Sequence, residues 1–273
     1  MIWSCHVFKN ISDRKDSVFF LFFQNNFDLY CRIKKNCIFA KSRYNDSFMK
    51  KIVLYHGSTK VIEKPLLGVG NPKNDYGLGF YCTENKELAM EWASTERNDG
   101  FANCYELDFD GLSVLNLNKK PYHILNWLAI LLKNRTFVLS QGLPVDARDY
   151  LLSNFLPEYE NYDVITGYRA DDSYFSFANA FLNNTISLEQ LRQAMYLGKL
   201  GEQIVLKSEK AFELLNYIES IPVDTSKYYP KRQARDNKAR EDFQNIKSLA
   251  SSTDAIYMID ILRQKWTNDD TRL

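Results

Sequence analysis

The chain has 273 residues, of which 45% are apolar and 25% charged, and its formal net charge is +1. That is the balance of an ordinary folded protein, and it excludes a bulk polyanion binder or an acidic tail, although a local basic patch would not register in the sum. Five cysteines (Cys5, Cys31, Cys37, Cys82 and Cys104) without a CxxC pair favour free thiols in a reducing, cytoplasmic setting over a disulfide framework. Three widely separated histidines argue against a zinc site, so no metal is expected. No apolar run approaches the roughly 20 residues of a membrane-spanning helix, so no membrane partner is expected either.

Residues 1–48 differ in character from the rest. The run VFFLFFQNNF is too short to span a membrane and follows Asp13 and Asp16, which is poor context for a signal sequence. It has neither helical nor alternating period, whereas FMKKIVLYHGS reads like a natural start at Met49. Residues 1–48 are therefore expected to be either an extension misassigned as coding or an accessory arm. Residues 49–222 are expected to form the main domain, and 223–273 a helical C-terminal appendage.

From Met49 onward the elements follow in order. KIVLYHGS is a β-branched strand closed by a turn. A glycine-rich loop, GVGNPKNDYGLG, enters a short strand at Phe80–Thr83, and NKELAMEWASTE has helical composition. NCYELDFDGLSVLNLN reads as two runs joined in a hairpin at Asp110-Gly111. YHILNWLAILLKN and VDARDYLLSNFL are helical, YDVITGY is a buried strand, and a helix covers 171–183. Ser187 and Gln190 have capping-box spacing at the start of another helix. EQIVLKS and FELLNYIESI follow as strands, then a charged stretch in which KRQARDNKAR either contacts phosphates or, as its alternating signs favour, is a solvated helix face, and an amphipathic pattern in IKSLASSTDAIYMIDILRQKW.

Three strands end in residues unusual for packing: His56 in LYHGS, Tyr81 in GLGFYCT, and Glu202-Gln203 in GEQIVL. In that order they resemble the ADP-ribosyltransferase superfamily, in its diphtheria-toxin-like and poly-ADP-ribose-polymerase-like branch, marked by a His-Tyr-Glu triad on three strands. They also resemble an uncharacterised bacterial family that shares the LYHGS to GEQIVL pattern. The resemblance spans about residues 50–220, although three short segments carry it. It implies an α+β fold: a split β-sandwich of two small antiparallel sheets with flanking helices and a helical C-terminal tail. It further implies a cleft for NAD as substrate, a transferase of the glycosyltransferase class that releases nicotinamide, and often a toxin restrained by an antitoxin protein or deployed in phage defence. The alternative is a catalytically degenerate module of the same fold that holds NAD or ADP-ribose.

By this resemblance His56 bonds the adenosine ribose, with Gly57 main chain near the nicotinamide amide and Ser58 on a ribose hydroxyl. Glycine suits a place where main chain must approach a ring. Tyr81 would stack on the nicotinamide, an electron-rich face against a cationic pyridinium. Trp92, at the offset where the family has a second tyrosine, would complete the sandwich without a hydroxyl, or simply pack its helix on the sheet. Glu202 fits the family's Glu-x-[Ile/Val] register, but strand alternation lets only one of Glu202 and Gln203 face the cleft. Glu202 is favoured as the catalytic residue, because a carboxylate stabilises developing positive charge and an amide does not. The glycine-rich loop lacks the strand-to-long-helix context of a dinucleotide fingerprint. It reads instead as a flexible cover over the cleft, with Asn74 or Asp75 near the dinucleotide. RADDSYFSFA, with Arg169, Asp171 and Asp172, either faces an acceptor or caps a helix through Asp171; His123 opens a helix and reads as structural. The acceptor itself, whether protein, nucleic acid or small molecule, is left open.

Overall fold

A computed structural model describes residues 31–33, 36–38, 51–170, 172–199, 201–249 and 252–273. The chain divides into two compact units, Met1–Phe48 and Met49–Leu273. In the first, β1 (Cys31–Ile33) pairs antiparallel with β2 (Asn36–Ile38). The second unit runs β3 (Lys51–Ser58), β4 (Phe80–Cys82), α1 (Lys86–Ala93), β5 (Gly100–Asp108), β6 (Val114–Asn116), α2 (Ile124–Asn134) and α3 (Leu143–Asn154). It continues with β7 (Val164–Tyr168), α4 (Asp172–Leu182), α5 (Leu188–Ala194), β8 (Glu202–Leu206), α6 (Glu209–Glu213), β9 (Leu215–Val223), α7 (Thr225–Ser248) and α8 (Met258–Arg263).

The strands build two small sheets. One is antiparallel in the order β3-β5-β9, and the other has the order β4-β8-β7-β6. Only β6–β7 is parallel, so the second sheet is mixed, where an all-antiparallel one was expected. The sheets meet at a bridge between Tyr55 and Thr83, whose backbones exchange hydrogen bonds of 2.8 and 3.0 Å. Leu54, Phe80, Tyr105, Leu107, Ile204 and Leu206 fill a small apolar cluster to which both sheets contribute. The Asp110-Gly111 turn does not close a hairpin. Gly111, at φ +70°, lies in the connection from β5 in one sheet to β6 in the other, because Val114 finds its partner at Val164. That is a long-range pairing which local turn chemistry does not encode.

The larger core lies on the outer face of the mixed sheet. Every residue of α2 from Ile124 to Leu132 is buried, as expected of a helix apolar all round. The segment after residue 223, expected as an appendage, contributes to this same core through Ala239, Phe243, Met258, Ile261 and Trp266. Its helices also divide differently from the sequence pattern. α7 covers the charged stretch and ends at Ser248, and α8 is a separate short helix.

Helix α1 starts at Asn85, whose side-chain oxygen accepts from the Leu88 N–H. It lies directly on β3 and β5, at backbone contact. A Cβ on Gly57 would stand 2.2 Å from the Ala89 carbonyl oxygen, and one on Gly100 would stand 2.1 Å from that of Ala93. These two glycines therefore set how close the helix can come.

Candidate functional site

Two of the three motif strands touch at His56. Its Nδ1 donates to the Tyr81 carbonyl oxygen at 2.7 Å, and its ring stacks on Phe80 with centroids 4.4 Å apart. Because a carbonyl only accepts, the proton sits on Nδ1 and the Nε2 lone pair is the free acceptor. Burial lowers the imidazole pKa below its ordinary value; the bond to Tyr81 opposes that shift and the charge of Arg169 adds to it. The ring is thus neutral near physiological pH. Beneath it, Asn103 opposes His56 in the β3–β5 register and is fully buried. Its amide donates to the His56 and Lys60 carbonyls and accepts from Ile62 N and Ser220 Oγ, which fixes the chain just after the HGS turn. Nothing in the local sequence pattern singles this residue out.

Tyr81 and Gln203 share a face of the mixed sheet, since Tyr81 pairs with Val205 and Gln203 lies two residues along β8. The glycine-rich loop is pinned against this face. The Tyr81 hydroxyl donates to the Gly77 carbonyl and accepts from Tyr76 N at 3.1 Å, and burial pushes its pKa well up. Asp75, 5% exposed, accepts from Ala170 N at 3.0 Å and from Gln203 Nε2 at 3.3 Å, with Arg135 Nε at 3.6 Å. Tyr76 is fully buried and donates to the Tyr168 carbonyl, while Lys207 Nζ donates to the Tyr76 carbonyl. The loop's second half is therefore anchored, where a flexible cover was expected. Gln203 itself is 4% exposed, and its Oε1 has no partner among the described residues.

Glu202 has the opposite environment. It is exposed, and alternation along β8 sends it away from Asp75 and the Tyr81 phenol. It lines an open cavity of about 490 Å³ with Asn118, Tyr168, Met195, Tyr196 and Lys199. A second cavity of about 440 Å³, between the end of α1 and α7, is lined by Thr95, Tyr229, Arg232 and Asp236 and holds none of the motif residues.

The remaining candidates divide. Gly57 presents its Cα to α1, which accounts for the glycine independently of any ligand. Ser58 Oγ accepts from Lys60 N at 3.2 Å, and the Asn74 carbonyl accepts from Gly77 N at 3.0 Å within the loop turn. Trp92 is half-buried, and its ring carries two guanidinium groups: Arg169 at 3.8 Å and Arg232 of α7 at 4.3 Å from the centroid. One turn from Arg232, Arg235 grips the buried Glu91 carboxylate with two bonds of 2.7 and 2.8 Å and donates to the Gly198 carbonyl. α7 is thereby tied both to the helix bearing Trp92 and to the turn before β8. His123 sits at the N-cap position of α2 against Phe155, away from these groups. Asp171 lies outside the described residues. No group of His, Cys, Asp and Glu suited to hold a metal ion occurs among the described residues, and no described helix is long and apolar enough to cross a membrane.

Residues 52–217 match a family described as Protein of unknown function (DUF3990). The chain belongs to this family. No curated protein and no solved structure matches it. The matched region takes in all three motif strands, from His56 through Tyr81 to Glu202, together with the glycine-rich loop. Arg232 and Arg235, which reach back to Trp92 and Glu91, lie beyond it.

Proposed function

We propose that the protein is an NAD-dependent ADP-ribosyltransferase that releases nicotinamide, acting as a bacterial toxin held in check by an antitoxin protein. The observation that carries this reading is the adjacency of the three motif segments. His56 bonds the main chain of Tyr81, and Tyr81 pairs with Val205 of the strand that Glu202 opens. Three segments far apart in the chain are thus adjacent near the junction of two small sheets, which supports the reading.

The side chains suit the chemistry. A neutral His56 with a free Nε2 lone pair accepts a ribose hydroxyl. Tyr81 contributes its carbonyl, which holds His56 in place, while its ring lies on the opposite face of the sheet from Glu202 and anchors the glycine-rich loop. Breaking the bond between ribose C1′ and nicotinamide nitrogen sends the electron pair to nicotinamide and leaves positive charge on the ribose. An exposed carboxylate at Glu202 stabilises that charge and takes the proton of the incoming nucleophile. Gln203, buried and donating to Asp75, belongs to the framework in this reading.

Incubation of the purified protein with NAD labelled in the ADP-ribose half and a cell lysate tests the proposal. Label transfer or free ADP-ribose, lost in Glu202→Ala, supports it; absence of nicotinamide release under all conditions overturns it. The degenerate-module reading draws on Trp92, whose ring is already engaged by Arg169 and Arg232. It predicts NAD binding by calorimetry without nicotinamide release.

A further inference from the structure

Arg235 of α7 joins the two halves of the candidate site. Its guanidinium grips both oxygens of Glu91, which is 3% exposed, and its third nitrogen donates to the Gly198 carbonyl at 2.7 Å. Those two partners belong with different sheets. Glu91 lies on α1, whose backbone rests on Gly57, the residue after His56. Gly198 lies in the turn at Leu197–Lys199, four residues before Glu202, and Lys199 of this turn lines the same cavity as Glu202. The turn is an unusual one. Gly198, Lys199 and Gly201 all have positive φ, and Lys199, at +49°, occupies the left-handed region that a side chain disfavours. The Leu197 carbonyl accepts from the Tyr174 hydroxyl and the Gly198 carbonyl from Arg235, so side chains of α4 and α7 fix the path of the turn. A second link runs alongside. Trp92, next to Glu91, holds both Arg232 of α7 and Arg169, which follows Tyr168, the partner of Glu202 in the β7–β8 register. The backbone bridge between the sheets, by contrast, runs from β3 to β4, one strand short of β8.

We propose that Arg235 is a positioning residue for the transfer step: it sets where the Glu202 carboxylate stands relative to His56, and so makes α7 part of the active unit. The proposal rests on the transferase reading above and deepens it. A planar guanidinium presents its N–H groups in fixed directions, so the Glu91 carboxylate and the Gly198 carbonyl are held at one separation. A lysine at position 235 would still neutralise Glu91, but an ammonium on a flexible stem does not lock two acceptors in one plane. Placement matters because a carboxylate stabilises developing charge at short range, and a displacement of about 1 Å costs about a hundredfold in rate. Arg235 touches no substrate in this role and acts through Glu202. Lys231, four residues earlier on α7, offers the comparison. Its contacts among the described residues are Glu87 of α1, at 3.2 Å, and the Tyr228 ring, so it ties α7 to α1 without reaching the turn before β8.

The test follows nicotinamide release from NAD by the full chain in the wild type, Arg235→Lys, the double variant Glu91→Met with Arg235→Met, and Lys231→Gln, each alone and combined with Glu202→Gln. The double variant exchanges a buried ion pair for apolar side chains of similar size and is expected to fold. Melting temperatures check this, so loss of the brace is separated from loss of the fold. The expected result is a kcat lowered about tenfold or more in Arg235→Lys and in the double variant, with the KM for NAD little changed, and no effect of Lys231→Gln. Where Glu202→Gln is already present, the same changes at position 235 are expected to bring no further loss, because residues that act as a unit are not additive. An equal fold-loss in both backgrounds overturns the proposal, since Arg235 would then act on the fold at large. An unchanged kcat in both position-235 variants overturns it too, while sustaining the transferase reading. If the wild type releases no nicotinamide under any condition, the transferase reading fails and this inference falls with it.

Discussion

Glu202 and Gln203 are neighbours in the chain and occupy opposite worlds. Gln203 is buried beside Asp75 under an anchored loop, and Glu202 stands in the open at a cavity rim. The contrast shows how a single strand serves two purposes. One face is stitched into a polar framework whose failure would cost stability. The other buries Ile204 and Leu206 in the cluster between the sheets, and only Glu202 at its end presents a charge to solvent, where its loss costs the fold little.

The sharpest way to break this comparison is Glu202→Gln. A rate of nicotinamide release lowered about a hundredfold to a thousandfold, with an unchanged melting temperature, is expected; a fall in melting temperature would place Glu202 in the framework instead. Next comes Asp75→Ala, which leaves Ala170 N, the Gln203 amide and Arg135 without their shared acceptor. Urea unfolding is expected to show a loss of about 2–4 kcal/mol. Gln203→Met removes one bond to Asp75 and also a buried oxygen that had no partner. The two effects offset each other, so a loss of about 1 kcal/mol or less is expected, with nicotinamide release retained. The smallest effect is that of pH. Burial lowers the pKa of His56 and of His123 below the ordinary 6.5. The unfolded chain therefore binds protons first on acidification. Stability holds above 6.5 and is lost as pH falls through 6.5 toward the lower folded values. Denaturant midpoints measured on either side of that value check the sign, and His56→Gln should flatten part of the slope.

Much of the fold is legible locally. The β-branched runs of β3, β7 and β8 and the long apolar run of α2 announce themselves by composition. The Ser187–Gln190 capping box forms with both of its bonds. What escapes the sequence is non-local. The Asp110-Gly111 turn carries a hairpin signal but leads to a parallel pairing some fifty residues away, and parallel partners have no turn chemistry to betray them. Helix α7 reads as solvated because it is charged along its length, yet Tyr228, Ala239 and Phe243 are enough to seat it. At the site, the HGS, GFY and EQIV segments stand out as residue types at strand ends. Asn103, Asp75 and the Arg169–Trp92–Arg232 assembly do not, because an ordinary polar residue gains its meaning only from the neighbours that burial gives it.

The clasp between Glu91 and Arg235 also bears on how the protein can be handled. The family match ends at residue 217, within β9, whereas the guanidinium that neutralises this nearly inaccessible carboxylate sits further on. A clone trimmed to the matched span would strand that anion beneath an uncovered apolar surface. Material for biochemistry is therefore expected to fold best when the chain runs through Trp266, whose indole is buried in the same interior.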